Sequence, residues 1–189
     1  MSNKEILIEQ AALMMAQKGY HLFTIDALIE HTTIAKSNTY YHFANKELLG
    51  EAVLQYWANI YLLMFNNIFN NPNVPIRVTL NHYLKKQIQF QKTTSFCGNP
   101  VFSITQDLST PGALIKYTTY QKDVCAILTN FISAGIAKDC FLANLNPQNI
   151  AKLLFSQLTF AELDCRINKN CIPIIKSTNL LNNLILIKE

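Results

Sequence analysis

Between Ile34 and Lys46 the chain reads Ile-Ala-Lys-Ser-Asn-Thr-Tyr-Tyr-His-Phe-Ala-Asn-Lys, which concentrates amide, hydroxyl, imidazole and ammonium groups in one short run. These types at this spacing contain no metal-ligand pair, glycine-rich phosphate loop or nucleophile motif, so they point to recognition rather than bond-making. Ahead of them, Thr24-Ile-Asp-Ala-Leu-Ile-Glu-His-Thr-Thr33 sets Ile25, Leu28 and Ile29 at helical spacing. Two short helices around a tight turn are the sequence shape of a helix-turn-helix, whose second helix enters the DNA major groove. Thr24 is placed as the N-cap of the first helix, and its hydroxyl beside free backbone N–H groups suits a phosphate.

Chemistry of other kinds finds little support. The five cysteines, Cys97, Cys125, Cys140, Cys165 and Cys171, are odd in number and form no Cys-x-x-Cys pair. With four scattered histidines they suggest neither a disulfide framework nor a zinc site, and their expected role is core filling. Cys97, in an expected loop, is the sharpest alternative, as a redox- or electrophile-sensing thiol. Asp107, Asp123, Glu162 and Asp164 are dispersed and read as solvated or capping acids. No catalytic residue, metal or cofactor is expected, and an enzyme or helical carrier keeping a helix-turn-helix as mere scaffold has no supporting motif.

Half of the 189 residues are hydrophobic, which supports a full-sized core and argues against disorder. No apolar run is expected to approach the roughly 18 uncharged residues of a membrane span, and the N-terminus lacks a signal-peptide layout. The expected location is therefore the cytoplasm, with no membrane partner. A net charge of +4 is no DNA footprint here. Within residues 1–50, Lys4, Lys18, Lys36 and Lys46 are outnumbered by Glu5, Glu9, Asp26, Glu30 and Glu47. DNA binding must rest on individual placed groups.

The elements that position the run follow from periodicity. An amphipathic helix from Lys4 to Lys18 carries Ile8, Ala11, Ala12 and Met15, and Gly19 ends it. After the two short helices, Asn45 caps a longer one through Leu48, Val53, Trp57 and Phe65, which the Asn- and Pro-rich stretch from Asn66 to Pro75 breaks. Further helices are expected over Ile76–Gln91, from Pro100 to an end at Pro111-Gly112, over Leu114–Lys138, from Leu145-Asn-Pro147 onward, and from Pro173 to the end. No segment alternates as a strand. The expected class is all-α: a three-helix DNA-binding domain over residues 1–48, entered by the helix from 45, and a larger helical domain over 49–189.

Gly19-Tyr20, Thr24, Ile34-Ala-Lys36, Tyr40-Tyr-His-Phe43 and Asn45-Lys46-Glu47-Leu48 closely resemble the N-terminal domain of TetR-family repressors, colinearly over roughly residues 5–57. The resemblance implies that Lys36, Ser37, Asn38 and Tyr40 face the groove, in a recognition helix centred on Lys36–Tyr41. It implies that Thr24, Tyr41, His42 and Lys46 mainly hold the DNA backbone. The chemistry agrees: amides and small hydroxyls read base edges, whereas phenol and ammonium groups bind phosphates. Phe43 is expected in the core, and Tyr40 stands between core and groove.

The resemblance also implies a homodimer through the last two helices, about residues 147–187, on a palindromic double-stranded operator. Leu153, Phe160, Leu163 and Ile167 form a second apolar stripe beside Ile150, Leu154, Leu158 and Ala161, so that helix needs two apolar partners. A large intramolecular core is the competing account. A small-molecule effector is implied, and aromatic enrichment nominates Tyr83, Phe90, Phe102, Tyr117 and Tyr120 as pocket lining, with core packing as the alternative for each. An activator in place of a repressor stays open.

Three positions depart from the family pattern. Thr33 replaces the turn glycine, where positive φ costs a β-branched residue roughly 1–2 kcal/mol. Ala35 replaces the capping serine, a loss of about 1 kcal/mol, and Thr39 shortens an apolar anchor. All three loosen the recognition helix, so its amides are expected to exchange with solvent faster than those of its neighbours. Slow, uniform exchange across residues 36–42 would contradict this.

Overall fold

The computed structural model describes residues 2–71 and 73–186. Its helices are α1 (Asn3–Lys18), α2 (Ile25–Thr32), α3 (Lys36–His42), α4 (Lys46–Phe69), α5 (Ile76–Thr93), α6 (Pro100–Leu108), α7 (Pro111–Ala137), α8 (Pro147–Asn168) and α9 (Ile172–Ile185). The fold is all-α, and the described residues add one isolated antiparallel bridge between Phe141 and Leu186. Two compact units form: residues up to Ile60 with Asn99–Thr119, and Tyr61–Gly98 with the residues from Tyr120 onward.

In the first unit, a capping box starts α1. The Ser2 hydroxyl accepts from the Glu5 amide, and the Glu5 carboxylate accepts from the Ser2 amide. These bonds hold the Glu5 carboxyl below its ordinary range. Leu7, Ala11, Ala12 and Met15 are buried along one face of α1, which packs on α2, α3 and α6. Gly19 ends the helix at φ 86°, and its N–H donates to the Met15 carbonyl. Close approach explains a second glycine: a Cβ on Gly50 would lie 2.8 Å from the Tyr20 ring and 3.3 Å from Leu108.

Pro111-Gly112 does not end a helix, as expected from sequence, but opens α7. α6 already stops at Leu108, where Ser109 turns left-handed at φ 50°, and proline suits a first helical turn because its missing N–H is unneeded there. Gly112 leaves room for the Glu51 carboxylate, which accepts from the Thr110 hydroxyl at 2.8 Å and the Lys116 ammonium at 3.0 Å. The two bonds depress the Glu51 pKa. Their contribution is therefore full above the ordinary carboxylate range and is lost as pH falls through the depressed value.

α4 corrects another expectation. By length and composition it contains an 18-residue window apolar enough to cross a membrane. Its apolar side chains Leu49, Val53, Leu54, Trp57, Tyr61, Phe65 and Phe69 are instead buried in the protein. On the same helix Leu48, Ile60 and Leu63 are exposed, and 44% of that apolar window is buried.

The second unit is built on aromatic packing. Phe65 stacks on Phe69 at 5.5 Å, Tyr83 lies against both, and Phe69, Phe131 and Phe141 meet edge to face. Gly135 gives the Phe141 ring its space. α8 packs on α9, and α9 on α5. Leu154, Leu158, Ala161 and Cys165 bury one side of α8, while Leu153, Phe160 and Ile167 on the other are 44%, 57% and 68% exposed. On α9, Leu180 and Leu184 are also exposed. Ile187, included in the expected interface, lies outside the described residues.

Thr33 takes up the left-handed conformation directly, at φ 58° and ψ 10°. The strain anticipated for a β-branched residue is present in the fold. Thr33→Gly should raise stability by about 1 kcal/mol, the relief of strain exceeding the added chain entropy of glycine. Thermal denaturation checks this, and a lower melting temperature for the variant would refute it.

Candidate nucleic-acid interface

α3 is only seven residues long, and its N-cap Ala35 makes no side-chain capping bond. Packing compensates: Thr39 is fully buried, with its hydroxyl 3.4 Å from the Ala35 carbonyl, and Phe43 is 4% exposed. These two residues fix which face of α3 turns outward. Lys36, Ser37, Tyr40 and Tyr41 are exposed, Tyr41 at 85%, while His42 is half-buried with its ring edge-on to Tyr41. Asn38 is half-buried, and its Oδ1 is a buried acceptor with no hydrogen-bond partner. Tyr40, undecided from sequence, is 40% exposed.

Around this face, Thr24 caps α2 by accepting the Ala27 amide at 3.2 Å and remains exposed. Lys46 donates to the His21 carbonyl at 3.3 Å and sits 4.4 Å from the Tyr20 ring centre. Lys36 donates to Asp26 at 3.0 Å and lies 5.9 Å from the Tyr40 ring centre. The Asp26 hydrogen bond and charge raise the Lys36 pKa. Both members are more than 60% exposed, so solvent screens the pair and it adds little to stability. Asp26 escaped the sequence reading except as a negative count. It is not at helical spacing from Lys36, and only the turn brings the two together.

The residues nominated for a pocket fall as follows. Phe102 and Tyr117 pair edge-on at 6.2 Å in the first unit. In the second, Tyr61 meets Phe90 and Tyr120 edge-on, and Tyr83 packs against Phe65 and Phe69. Tyr83 and Tyr120 are buried, whereas Phe90 is partly exposed. A surface cleft of about 440 Å³ in the same unit is lined elsewhere, by Phe69, Val74, Asn130, Phe131 and Lys138 among others.

One expectation fails here, and one alternative loses support. Glu162 is not a solvated acid: it is 1% exposed, and the Tyr83 and Tyr61 hydroxyls donate to its two oxygens. No sequence signal marked it, because a lone Glu on an amphipathic helix reads as solvent-facing. Cys97 does belong to a non-helical stretch but is 3% exposed, with its thiol 3.3 Å from the Thr94 hydroxyl. Burial pushes that thiol up, which disfavours the reactive thiolate a sensor needs.

Known proteins now give this geometry its context. Residues 7–53 match the sequence model described as bacterial regulatory proteins, tetR family. No curated protein matches the chain in sequence. Among solved structures, a regulatory protein TetR from Rhodobacter sphaeroides is similar at a TM-score of 0.88 and 15% identity, covering 96% of this chain and 98% of that one. A TetR-family regulator from Cytophaga hutchinsonii reaches 0.84 at 20% identity, over 98% and 96% of the two chains. E. coli NemR in its reduced form reaches 0.82 at 18% identity, over 97% of each. At these identities the likeness is one of fold. Residues 7–53 thus match the family's own sequence model, and the chain over its whole length shares the fold of TetR-family regulators.

Proposed function

We propose that the protein is a homodimeric, ligand-responsive repressor that binds a palindromic operator through the outward face of α3. The observation that carries this is the exposed row of Lys36, Ser37 and Tyr41, flanked by Thr24 and Lys46, on a helix anchored from behind by Thr39 and Phe43. Residues 1–48 then act as the DNA-binding domain and 49–189 as the effector and dimerisation domain. Lys36, Ser37, Asn38 and Tyr40 face base edges. Thr24, Tyr41, His42 and Lys46 hold phosphates, and the work is done in the cytoplasm, where the DNA is.

The exposed stripe of Leu153, Phe160 and Ile167 on α8, with Leu180 and Leu184 on α9, supports self-association. An apolar surface of this kind left in water is unfavourable, and a twofold copy covers it with itself. Dimerisation presents two copies of α3 about one DNA turn apart and strengthens each weak contact through effective concentration. The effector works by population shift: binding in the helical domain favours one spacing of the two DNA-binding heads and lowers operator affinity. The second-unit aromatic residues Tyr83, Phe90 and Tyr120 are its proposed contacts.

Retardation of DNA carrying the protein's own upstream region tests this reading. Lys36→Ala and Lys46→Ala should weaken binding across sequences and each lower the salt slope by about one. Asn38→Ala should relax preference at particular bases by roughly 1–3 kcal/mol; an unchanged preference removes Asn38 from the reading set. Phe160→Glu should give a monomer in analytical ultracentrifugation and lose operator binding, and an intact dimer would refute the interface.

Asp26 gives a further prediction of opposite sign. It occupies the Lys36 ammonium before DNA can, so Asp26→Asn should tighten DNA binding about threefold or more at low salt. In a Lys36→Ala background the same change should have a smaller effect. Fluorescence anisotropy on labelled operator measures both, and equal effects in the two backgrounds would show that the ion pair does not restrain binding.

A further inference from the structure

The surface cleft of about 440 Å³ lies in the second unit, where α4 ends, α5 begins and α7 runs out. The Asn- and Pro-rich junction between α4 and α5 supplies one wall, with Asn71, Val74 and Ile76. α7 supplies the other. Asn130, Ala134 and Lys138 follow at spacings of four, which sets them on one side of the helix, with Lys138 just past its end. Between two long polar side chains stands the single methyl group of Ala134. The floor is Phe69 and Phe131, which meet edge to face at 5.1 Å and are 6% and 3% exposed. A small-molecule site needs this kind of concave apolar floor with a few placed polar groups.

The rim carries charge of one sign. Lys138 is exposed, and among the described residues its ammonium has no ion-pair partner. Asn71 Oδ1 accepts from the Asn73 amide at 3.0 Å, which leaves the Nδ2 end as its donor. Asn130 adds a second side-chain amide. No described lining residue is an acid. Residues 61–98 contain no Asp or Glu, while they hold Arg77, Lys85, Lys86 and Lys92. Asp139 follows Lys138 in sequence but is exposed and off the lining. One ammonium and neutral amide donors over an aromatic floor match one carboxylate on an apolar body. A second negative charge finds no partner here, and a cationic ligand meets Lys138.

We propose that this cleft binds a flat apolar monocarboxylic acid, its ring on Phe69 and Phe131 and its carboxylate accepting from Lys138, Asn130 and Asn71. The site goes beyond the effector reading above: Tyr83, Phe90 and Tyr120 do not line it, and its occupancy needs no DNA. Because the cleft opens at the surface, the acid reaches it without displacing a core side chain. Cys140 lines the same cleft, half-buried, and its thiol donates to the Lys138 carbonyl at 3.5 Å. A bound acid covers that thiol, so the site contains its own reporter.

The test uses the full chain and three probes of similar shape: naphthylacetate, naphthylethanol and naphthylethylammonium. In isothermal titration calorimetry the carboxylate should bind about fivefold tighter than the alcohol and about tenfold tighter than the ammonium. Lys138→Gln, at an exposed position outside the helix, should bring the carboxylate to within about twofold of the alcohol. Ala134→Phe, also at an exposed position, should fill the cleft and weaken the carboxylate about tenfold or more. Alkylation of Cys140 by iodoacetamide, read by mass spectrometry, locates the bound acid. Naphthylacetate at about four times its Kd should slow that reaction about fivefold by mass action. Cys125, half-buried on α7 and outside the cleft, should react as before. Equal affinity for carboxylate and alcohol, or a preference that survives Lys138→Gln, overturns the carboxylate class. Binding that leaves Cys140 unprotected or is indifferent to Ala134→Phe overturns the location. No binding of any probe overturns the site altogether, whatever the same protein does with operator DNA.

Discussion

A seven-residue helix has almost no stability of its own, because helix nucleation consumes most of what a few hydrogen bonds return. α3 therefore exists only while its inner face is held. Buried Thr39 and Phe43 do the holding, against a small unit whose other walls are Leu7, Ala11, Met15, Leu28 and Leu49. The setting of the whole helix depends on that contact. The side chains opposite it are outward because these two are inward.

The same economy governs the electrostatics. With more acids than bases, residues 1–50 supply no broad positive field, and the Lys36 and Lys46 ammonium groups each have an intramolecular contact. Lys36 has Asp26, and Lys46 has the His21 carbonyl and the Tyr20 ring. On the proposed reading, DNA must displace these contacts rather than fill vacant positions. Such a design favours discrimination over raw affinity, since non-specific DNA must displace the same partners with fewer contacts in return.

How much was legible in the sequence depended on whether the signal was local. The helices of the first domain were readable from caps and periodicity, as Thr24 and Asn45 illustrate, because a cap and its target lie within four residues. At Thr33 the sequence left open a different turn or accepted strain, and the left-handed backbone there is the strained option. Pro111-Gly112 was misread because proline suits both the region after one helix and the first turn of the next, and only the early stop at Leu108 decides between them. The apolar length of α4 was underestimated, since Asn59, Asn66 and Asn67 break the eye's run of hydrophobics without adding charge. Glu162 and Asp26 were invisible for a different reason. Their partners, Tyr61, Tyr83 and Lys36, come from other helices, and no window along the chain contains those pairings.

The crowding at Gly50 gives the first unit a mechanical property. Tyr20 and Leu108 close on the bare α-carbon of that residue, leaving no clearance for even a methyl group. The other face of the Tyr20 environment carries the Lys46 ammonium. α6 thus ends beside the same ring that carries the Lys46 ammonium. Close-packed interiors transmit strain, so the bare α-carbon of Gly50 ties the end of α6 to the ring on which Lys46 sits.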